Sequence, residues 1–501
     1  MKIDKFYKDS FILTVSNLVT GIIGFLFSII LSRKLGPEGL GLYGLVMPVY
    51  GLLLCVTSEG LITSVSRIAA VGRSRKDYRN INKTVSTVLV LALVWSVAVA
   101  FLTFINSDGI AGFFIKDARA SEAVRILCPA LVFVSLSSII KGYFYGLGKF
   151  KITASADIVE KLLRVLVLLG AVAALSLKGM KSLVSAAYLA LTVGELTSLI
   201  ILYLFSQFYR NRLKEGGRKT KSRIQLVFDI LVIACPLYAN GILSSILSAA
   251  STLILPRRLA QAGIPYDSAL SLIGKFGGMA SNITFLPFII VGSMMTVLVP
   301  DLSATLGKKD VWAAEKRIYQ VLKVSCLVGI ASLLISLTIP DLLGELFYDR
   351  TDLGYMIGFA AVTGFFSYLS APTFGILNGL GRQNILLRNS LLISVENVAA
   401  IFIFTGIPSI NIYGCGIASL VTAVTALIMN TVEIRKTCEF PIRASDIASF
   451  VLIGVLVFLF LRLESRLLAF VPPVAEALAI VFSGFALTFF LSGMASKIDS
   501  R

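Results

Sequence analysis

Apolar stretches, each near the length of a bilayer crossing, alternate with short polar segments along almost the whole chain. A helix needs about 20 predominantly apolar residues to cross a hydrocarbon core about 30 Å thick. Fourteen stretches meet that requirement. Six lie at 11–32, 42–66, 84–105, 123–146, 153–175 and 183–206, six more at 226–255, 269–300, 320–340, 355–378, 385–405 and 411–432, and the last two at 447–462 and 474–492. The first run starts after Lys2, Lys5 and Lys8 and ends at Arg33-Lys34. It is too long for the apolar core of a signal peptide and reads as a retained first span.

Charge supports the count. With the N-terminus inside, the predicted cytoplasmic segments hold 29 Lys+Arg, the outer loops 11, and the spans the remaining 6 of 46. This is the bias expected of a multi-pass protein whose basic loops stay in the cytoplasm. The formal net charge of +18 therefore implies membrane topology and not nucleic-acid binding. Overall, 56% of the 501 residues are hydrophobic and 15% charged, which excludes a soluble globular or disordered chain. There is no His, so a His base, metal ligand or proton relay is excluded. The six Cys are scattered without a Cys-x-x-Cys, so neither a zinc site nor a disulfide framework is expected. No metal, cofactor or soluble catalytic domain is expected, and a membrane enzyme is disfavoured by the short outer loops.

The two halves repeat. Gly142-Tyr-Phe-Tyr-Gly146-Leu-Gly148-Lys149 matches Gly375-Ile-Leu-Asn-Gly379-Leu-Gly381-Arg382 at an offset of 233. Leu31-Ser-Arg33-Lys34-Leu35 matches Leu255-Pro-Arg257-Arg258-Leu259 at 224, and Gly72-Arg73 matches Gly307-Lys308 at 235. Each half has an even number of spans, so the repeats run parallel. The expected architecture is an all-α integral membrane protein of 14 transmembrane helices, in two parallel six-helix repeats plus two extra C-terminal helices. Both termini are cytoplasmic. The expected divisions are an N-lobe at 1–206, a basic cytoplasmic linker at 207–225, a C-lobe at 226–434 and the added pair with the tail at 435–501. A path for cargo is expected between the lobes, and the chain is expected to act as a monomer.

Charges at membrane depth are costly and usually face a cavity or a partner. The candidates are Glu59, Glu195 and Glu396, Lys275, and a group in span five: Asp157, Glu160, Lys161 and Arg164. Within that group Asp157–Lys161 and Glu160–Arg164 are four residues apart, the spacing of helix-face pairs. Arg164 is the deepest cation of the set. Glu59 is followed by Gly60, where a helix can unwind and present backbone groups. Arg67 stands two turns later, at the predicted cytoplasmic mouth. Asn17 and Asn240 occupy near-equivalent places in the first span of each half. Glu59, Arg67, Arg164, Lys275, Asn17 and Asn240 are the candidate substrate-binding residues, with Glu59 and Glu396 as candidate ion-coupling groups.

The run Arg33-Lys-Leu-Gly-Pro-Glu-Gly-Leu-Gly-Leu-Tyr43, with Pro48, Glu59-Gly60 and Ser64-Val-Ser-Arg67, resembles the first two spans of the stage V sporulation protein B-like polysaccharide exporters. These belong to the multidrug/oligosaccharidyl-lipid/polysaccharide exporter superfamily, which includes lipid II flippases. The resemblance implies a flippase in the bacterial cytoplasmic membrane. Its cargo would be an undecaprenyl-pyrophosphate-linked saccharide, with lipid II or a related peptidoglycan precursor for spore cortex first in line. The sequence shows no nucleotide-binding loop, so alternating access of the two halves is expected to be driven by membrane potential or by a monovalent cation or proton gradient. The alternative within the superfamily is a multidrug or cation antiporter. Lipid II flippases of the best-known type carry arginines in spans one, two and eight. Here span one has none from Phe11 to Ser32, Leu54 stands five residues before the Glu-Gly pair, and span eight offers Lys275.

Overall fold

The computed structural model describes residues 5–174, 179–212, 222–307, 310–438, 444–468 and 470–498, and these are helical with short connections. Helices are what an apolar chain must form in lipid, because every backbone N–H and C=O has to be satisfied within its own segment. By contacts the chain forms two compact units, Met1–Phe27 with Leu42–Leu253, and Ser28–Gly41 with Ile254–Arg501.

The first unit is built from α1 (Lys5–Ser58) apart from its Ser28–Gly41 stretch, which belongs to the second unit, with α2 (Leu61–Ser74), α3 (Tyr78–Ile105), the short α4 (Ser107–Gly109), α5 (Ser121–Gly146), α6 (Phe150–Ala174), α7 (Met180–Arg212) and most of α8 (Arg223–Gln261). The middle of the predicted linker, residues 213–221, lies outside the described residues. The loop expected between spans one and two is helical, and α1 runs through it with one non-helical residue, Gly36. The break expected at Glu59-Gly60 is present. Gly60 adopts φ 71°, a left-handed conformation that costs a glycine nothing, and α2 starts after it.

The second unit comprises α9 (Tyr266–Ile273), a π-helical turn at Gly274–Ala280, α10 (Ser281–Phe285), α11 (Phe288–Gly307), α12 (Val311–Thr338), α13 (Pro340–Tyr348), α14 (Gly354–Gly379), α15 (Gln383–Phe404), α16 (Tyr413–Arg435), α17 (Ala444–Leu468) and α18 (Pro473–Ile498). Tyr266–Phe285 and Phe288–Ser303 meet at a bend of 62°, next to Pro287. Proline removes a helical donor there and kinks the run.

Among the described residues eleven helices are long and apolar enough to cross a membrane, or twelve with the bent pair taken as one. The protein is thus a multi-pass membrane protein. Two features separate this number from fourteen. The run Thr14–Arg73, 60 residues counted as one candidate, holds two predicted spans and is interrupted at Gly36 and at Glu59-Gly60. Helix α6 is not among the eleven, and it carries Asp157, Glu160, Lys161 and Arg164.

The sequence repeat has a structural counterpart. Asp77 and Asp310, 233 apart, each cap a helix by accepting from the backbone N–H three residues on. Gly148 and Gly381 are both left-handed, as are Lys116 and Asp349, again 233 apart. Within each unit the Gly-x-x-x-Gly pair serves close helix packing. A Cβ on Gly146 would fall 2.5 Å from Ser66 O on α2, and one on Gly379 would lie 3.0 Å from Leu302 on α11. Small and hydroxyl side chains fill these seams, as when Ser135 Oγ donates to Thr57 O at 3.0 Å. Large apolar side chains such as Val94, Phe101, Leu459 and Phe482 point outward, where a bilayer solvates them.

Candidate substrate and ion sites

Glu59 sits at the interruption between α1 and α2, half-buried. One turn earlier, Cys55 donates its thiol to Glu59 Oε2 at 3.5 Å, and its sulfur lies 2.8 Å from Ser245 Oγ on α8. Gly241 of α8 is what admits the carboxylate, since a Cβ there would come within 2.5 Å of Glu59 Cγ. Tyr238 Oη, one turn before, lies 3.5 Å from Thr57 O. The structure thus brings Glu59 to the stretch of α8 that contains Asn240, whose side chain lies outside the described residues. Arg67 is exposed on α2, and Asn17 is exposed on α1.

Arg164 belongs to a second group in the same unit. Its Nη2 is 2.6 Å from Glu160 Oε1 and 3.3 Å from Glu195 Oε1 on α7. The guanidinium also stands 6.0 Å over the Phe27 ring. The expected Glu160–Arg164 pair therefore forms, but Asp157–Lys161 does not. Asp157 is taken by Lys141 of α5 at 2.7 Å, and Lys161 turns to Glu160 at 3.2 Å. The reason is tertiary. Helix α5 supplies a cation at the level of Asp157, and a pair across helices replaces the one along the helix. Lys141 is not among the sequence candidates, although its place directly before the Gly142 motif, inside an apolar run, marks it. Three acids and three bases thus close on one another. Near them Tyr188 stacks on Tyr43 and donates its hydroxyl to Tyr43 O at 2.7 Å.

Lys275 and Glu396 lie in the second unit. Lys275, in the π-helical turn, pairs with Asp352 at 2.6 Å. Asp352 sits in the connection before α14 and also accepts from Arg350 at 2.7 and 2.8 Å. Hydrogen bonds from Arg350, and then from Lys275, hold the Asp352 carboxyl well below the usual carboxylate range. Glu396 Oε1 accepts from Thr425 Oγ1 at 2.8 Å, while its buried Oε2 has no hydrogen-bond partner among the described residues. Beside these stands a buried chain that the sequence did not suggest. Asn389 donates to Asn430 at 2.9 Å, and Asn430 donates to Thr373 at 2.9 Å. Arg33, from the repeated motif, reaches Leu346 O and Phe347 O at the end of α13 and Asp349 beyond it. It satisfies carbonyls that the helix C-terminus leaves open. In the other copy of the motif Arg258 bonds Phe402 O near the end of α15 at 2.8 Å.

The described residues are helical, carry paired charges on several helices and leave one buried Glu396 oxygen without a hydrogen-bond partner among them, in a chain with an internal sequence repeat and many candidate membrane spans. The comparisons give the chain its family. The polysaccharide biosynthesis protein family matches residues 6–306, and the chain belongs to it, within the multidrug/oligosaccharidyl-lipid/polysaccharide exporter superfamily. Stage V sporulation protein B of Bacillus subtilis (strain 168) is 24% identical over 447 residues, covering 88% of this chain and 86% of that protein. The lipid II flippase MurJ of the same organism is 22% identical over 461 residues, covering 86% and 83%. Among solved structures, a lipid II flippase MurJ in an inward closed conformation superposes with a TM-score of 0.74 at 13% identity, covering 97% of this chain and 99% of that one. An inward-facing multidrug resistance MATE family transporter gives 0.65 at 18%, covering 84% and 96%. These superpositions concern the fold.

Proposed function

We propose that this protein is a flippase for a lipid-linked saccharide, with a peptidoglycan precursor such as lipid II as the first candidate cargo, working by alternating access. The observation that carries this reading is the family match over residues 6–306, in a chain whose sequence relatives include a lipid II flippase. The physical task is to move a sugar-pyrophosphate headgroup through a layer that would strip its water, which demands polar groups at membrane depth. Glu59 at the Gly60 interruption, Arg67, Arg164, Lys275, Asn17 and Asn240 are the proposed cargo contacts. Glu59 and Glu396 are the proposed ion-coupling groups.

The reading includes fourteen spans with both termini in the cytoplasm. Dividing the 60-residue run Thr14–Arg73 at its interruptions and adding α6, whose charges are paired, supports that number beside the twelve obtained with the bent pair taken as one.

A second reading, a cation-coupled antiporter, draws on one specific feature. Two of the candidate cations, Arg164 and Lys275, are already neutralised by carboxylates, whereas Glu396 keeps a buried oxygen without a partner among the described residues. One experiment separates the two. In a bacterium depleted of its lipid II flippase, expression of this chain is expected to restore growth and headgroup exposure on the outer face. Loss of rescue with good membrane expression, together with efflux of organic cations, would give the antiporter reading instead.

A further inference from the structure

Two proline breaks in the second unit meet at one side chain, Tyr368. Pro287 bends the run from α10 into α11, and Pro372 lies inside α14. A proline supplies no N–H, so carbonyls around it must find donors elsewhere. At the first break Thr284 O, which Phe288 would take in an unbroken helix, accepts from Tyr368 Oη of α14 at 2.7 Å and from Ser332 Oγ of α12 at 2.9 Å. At the second break Tyr368 O, four residues before Pro372, accepts from Ser325 Oγ of α12. Thr284, Ser332 and Tyr368 are all buried. The phenol ring stacks on Phe285 at 6.1 Å and meets Phe288 edge-on at 5.3 Å, one ring on each side of the bend. Gly329 of α12 admits it, since a Cβ there would stand 2.9 Å from Tyr368 Cβ.

The repeat marks the same position in the first unit. Residue 368 corresponds to Ser135 at the offset of 233 that relates Gly142 to Gly375. Ser135 donates to Thr57 O beside the Glu59-Gly60 interruption, and Trp95 of α3 donates to Val56 O at 2.9 Å. Each unit thus secures the break in its second span from its third and fourth spans. The second unit does so with a phenol that has two acceptors in reach, because Tyr368 Oη also lies 3.4 Å from Ser332 Oγ. Moving the phenol onto that oxygen leaves Tyr368 satisfied and Ser332 still bonded to Thr284 O. It also returns one lone pair of Thr284 O to the Phe288 N–H, as a straighter run requires. Neither arrangement strands a buried polar atom, so neither carries that penalty.

We propose that Tyr368 and Ser332 form a two-position hydroxyl latch on span eight. With the phenol on Thr284 O the bend of 62° is held, and with the phenol on Ser332 Oγ the bend is free to open. Tyr368 is then a positioning residue, which acts on the shape of the span and touches no cargo.

The test is pulsed electron paramagnetic resonance on the full chain in lipid nanodiscs, with the six native cysteines replaced. Spin labels go on Ser268→Cys and Thr296→Cys, two exposed positions on either side of the bend. The intact latch is expected to give a main short distance and a minor longer one. Tyr368→Phe keeps the ring contacts and loses the hydroxyl. It is expected to raise the longer population about fivefold, the factor of one neutral hydrogen bond. Ser332→Ala removes the second position, so opening would leave the buried phenol hydroxyl without a partner. It is expected to lower the longer population by about the same factor. These opposite signs separate a latch from ordinary packing, because loosening a packed core moves both variants the same way. Shifts in one direction, or distances unchanged in either variant, would overturn the proposal. No cargo takes part in the measurement, so its outcome is independent of the flippase reading.

Discussion

Arg164 shows what a single residue can decide here. Its guanidinium serves two carboxylates, of which Glu160 is only 5% exposed. Removing one partner of a buried ion pair leaves a charge without compensation, a loss of roughly 3–5 kcal/mol. Arg164→Gln is therefore expected to lower thermal stability in detergent strongly. Combining it with Glu160→Gln and Glu195→Gln should recover much of the loss, because neither acid is then left charged without Arg164 and the one cation that loses its partner, Lys161, is partly exposed. Asp352 makes a different prediction. Its folded-state pKa is depressed by Arg350 and Lys275, so the contribution of this ion group is fully present above the ordinary carboxylate pKa near 4 and is lost as pH falls through the lower folded value. The melting difference between the unmodified chain and Asp352→Asn should be constant from pH 8 down to about 5 and shrink below about 4. A difference that instead disappeared between pH 8 and 6 would mean that Asp352 is not the group responsible.

At the scale of elements, the seams are set by what is missing from a helix surface. Gly146 lets α5 lie against α2, with a would-be Cβ 2.5 Å from both Ala69 Cβ and Ser66 O. The backbone oxygen cannot move aside as a flexible side chain could. Gly146→Ala should therefore cost about 1–3 kcal/mol by overpacking. Gly170 on α6 has nothing within 4 Å of a would-be Cβ, so Gly170→Ala should be neutral or stabilising by up to about 1 kcal/mol. Parallel melting curves of the two variants test the pair, and equal effects would show that helix propensity and not contact governs these sites. The interruption at Glu59-Gly60 was legible in the sequence, because a carboxylate followed by glycine inside an apolar run has few other uses. Its partners on α8 were not. That Gly241 rather than another residue faces Glu59 depends on how two distant helices cross, and no local pattern encodes this.

For the whole molecule the open quantity is topology. The alternation of basic segments predicts that 107–120 faces outward and that 207–225 faces the cytoplasm. With the six native cysteines replaced, Lys116→Cys should react with a membrane-impermeant maleimide on intact cells, and Thr220→Cys only after the membrane is opened. Reaction of both from outside would remove the fourteen-span reading while leaving the family intact.

The sequence by itself determined the membrane class, the helical build, the internal repeat and the family signature around Glu59-Gly60. Those properties follow from composition, the length of apolar runs and short motifs, all of which are read along the chain without knowing how helices cross. Only the tertiary structure decided which charges meet. It exchanged Asp157–Lys161 for Asp157–Lys141, gave Arg164 a second acid from α7, tied Lys275 to Asp352, and set Asn389, Asn430 and Thr373 in one line. The physical reason is that a charge at low dielectric takes whichever opposite charge the packing brings within reach, and packing is a property of helix surfaces taken together, not of any one stretch of sequence.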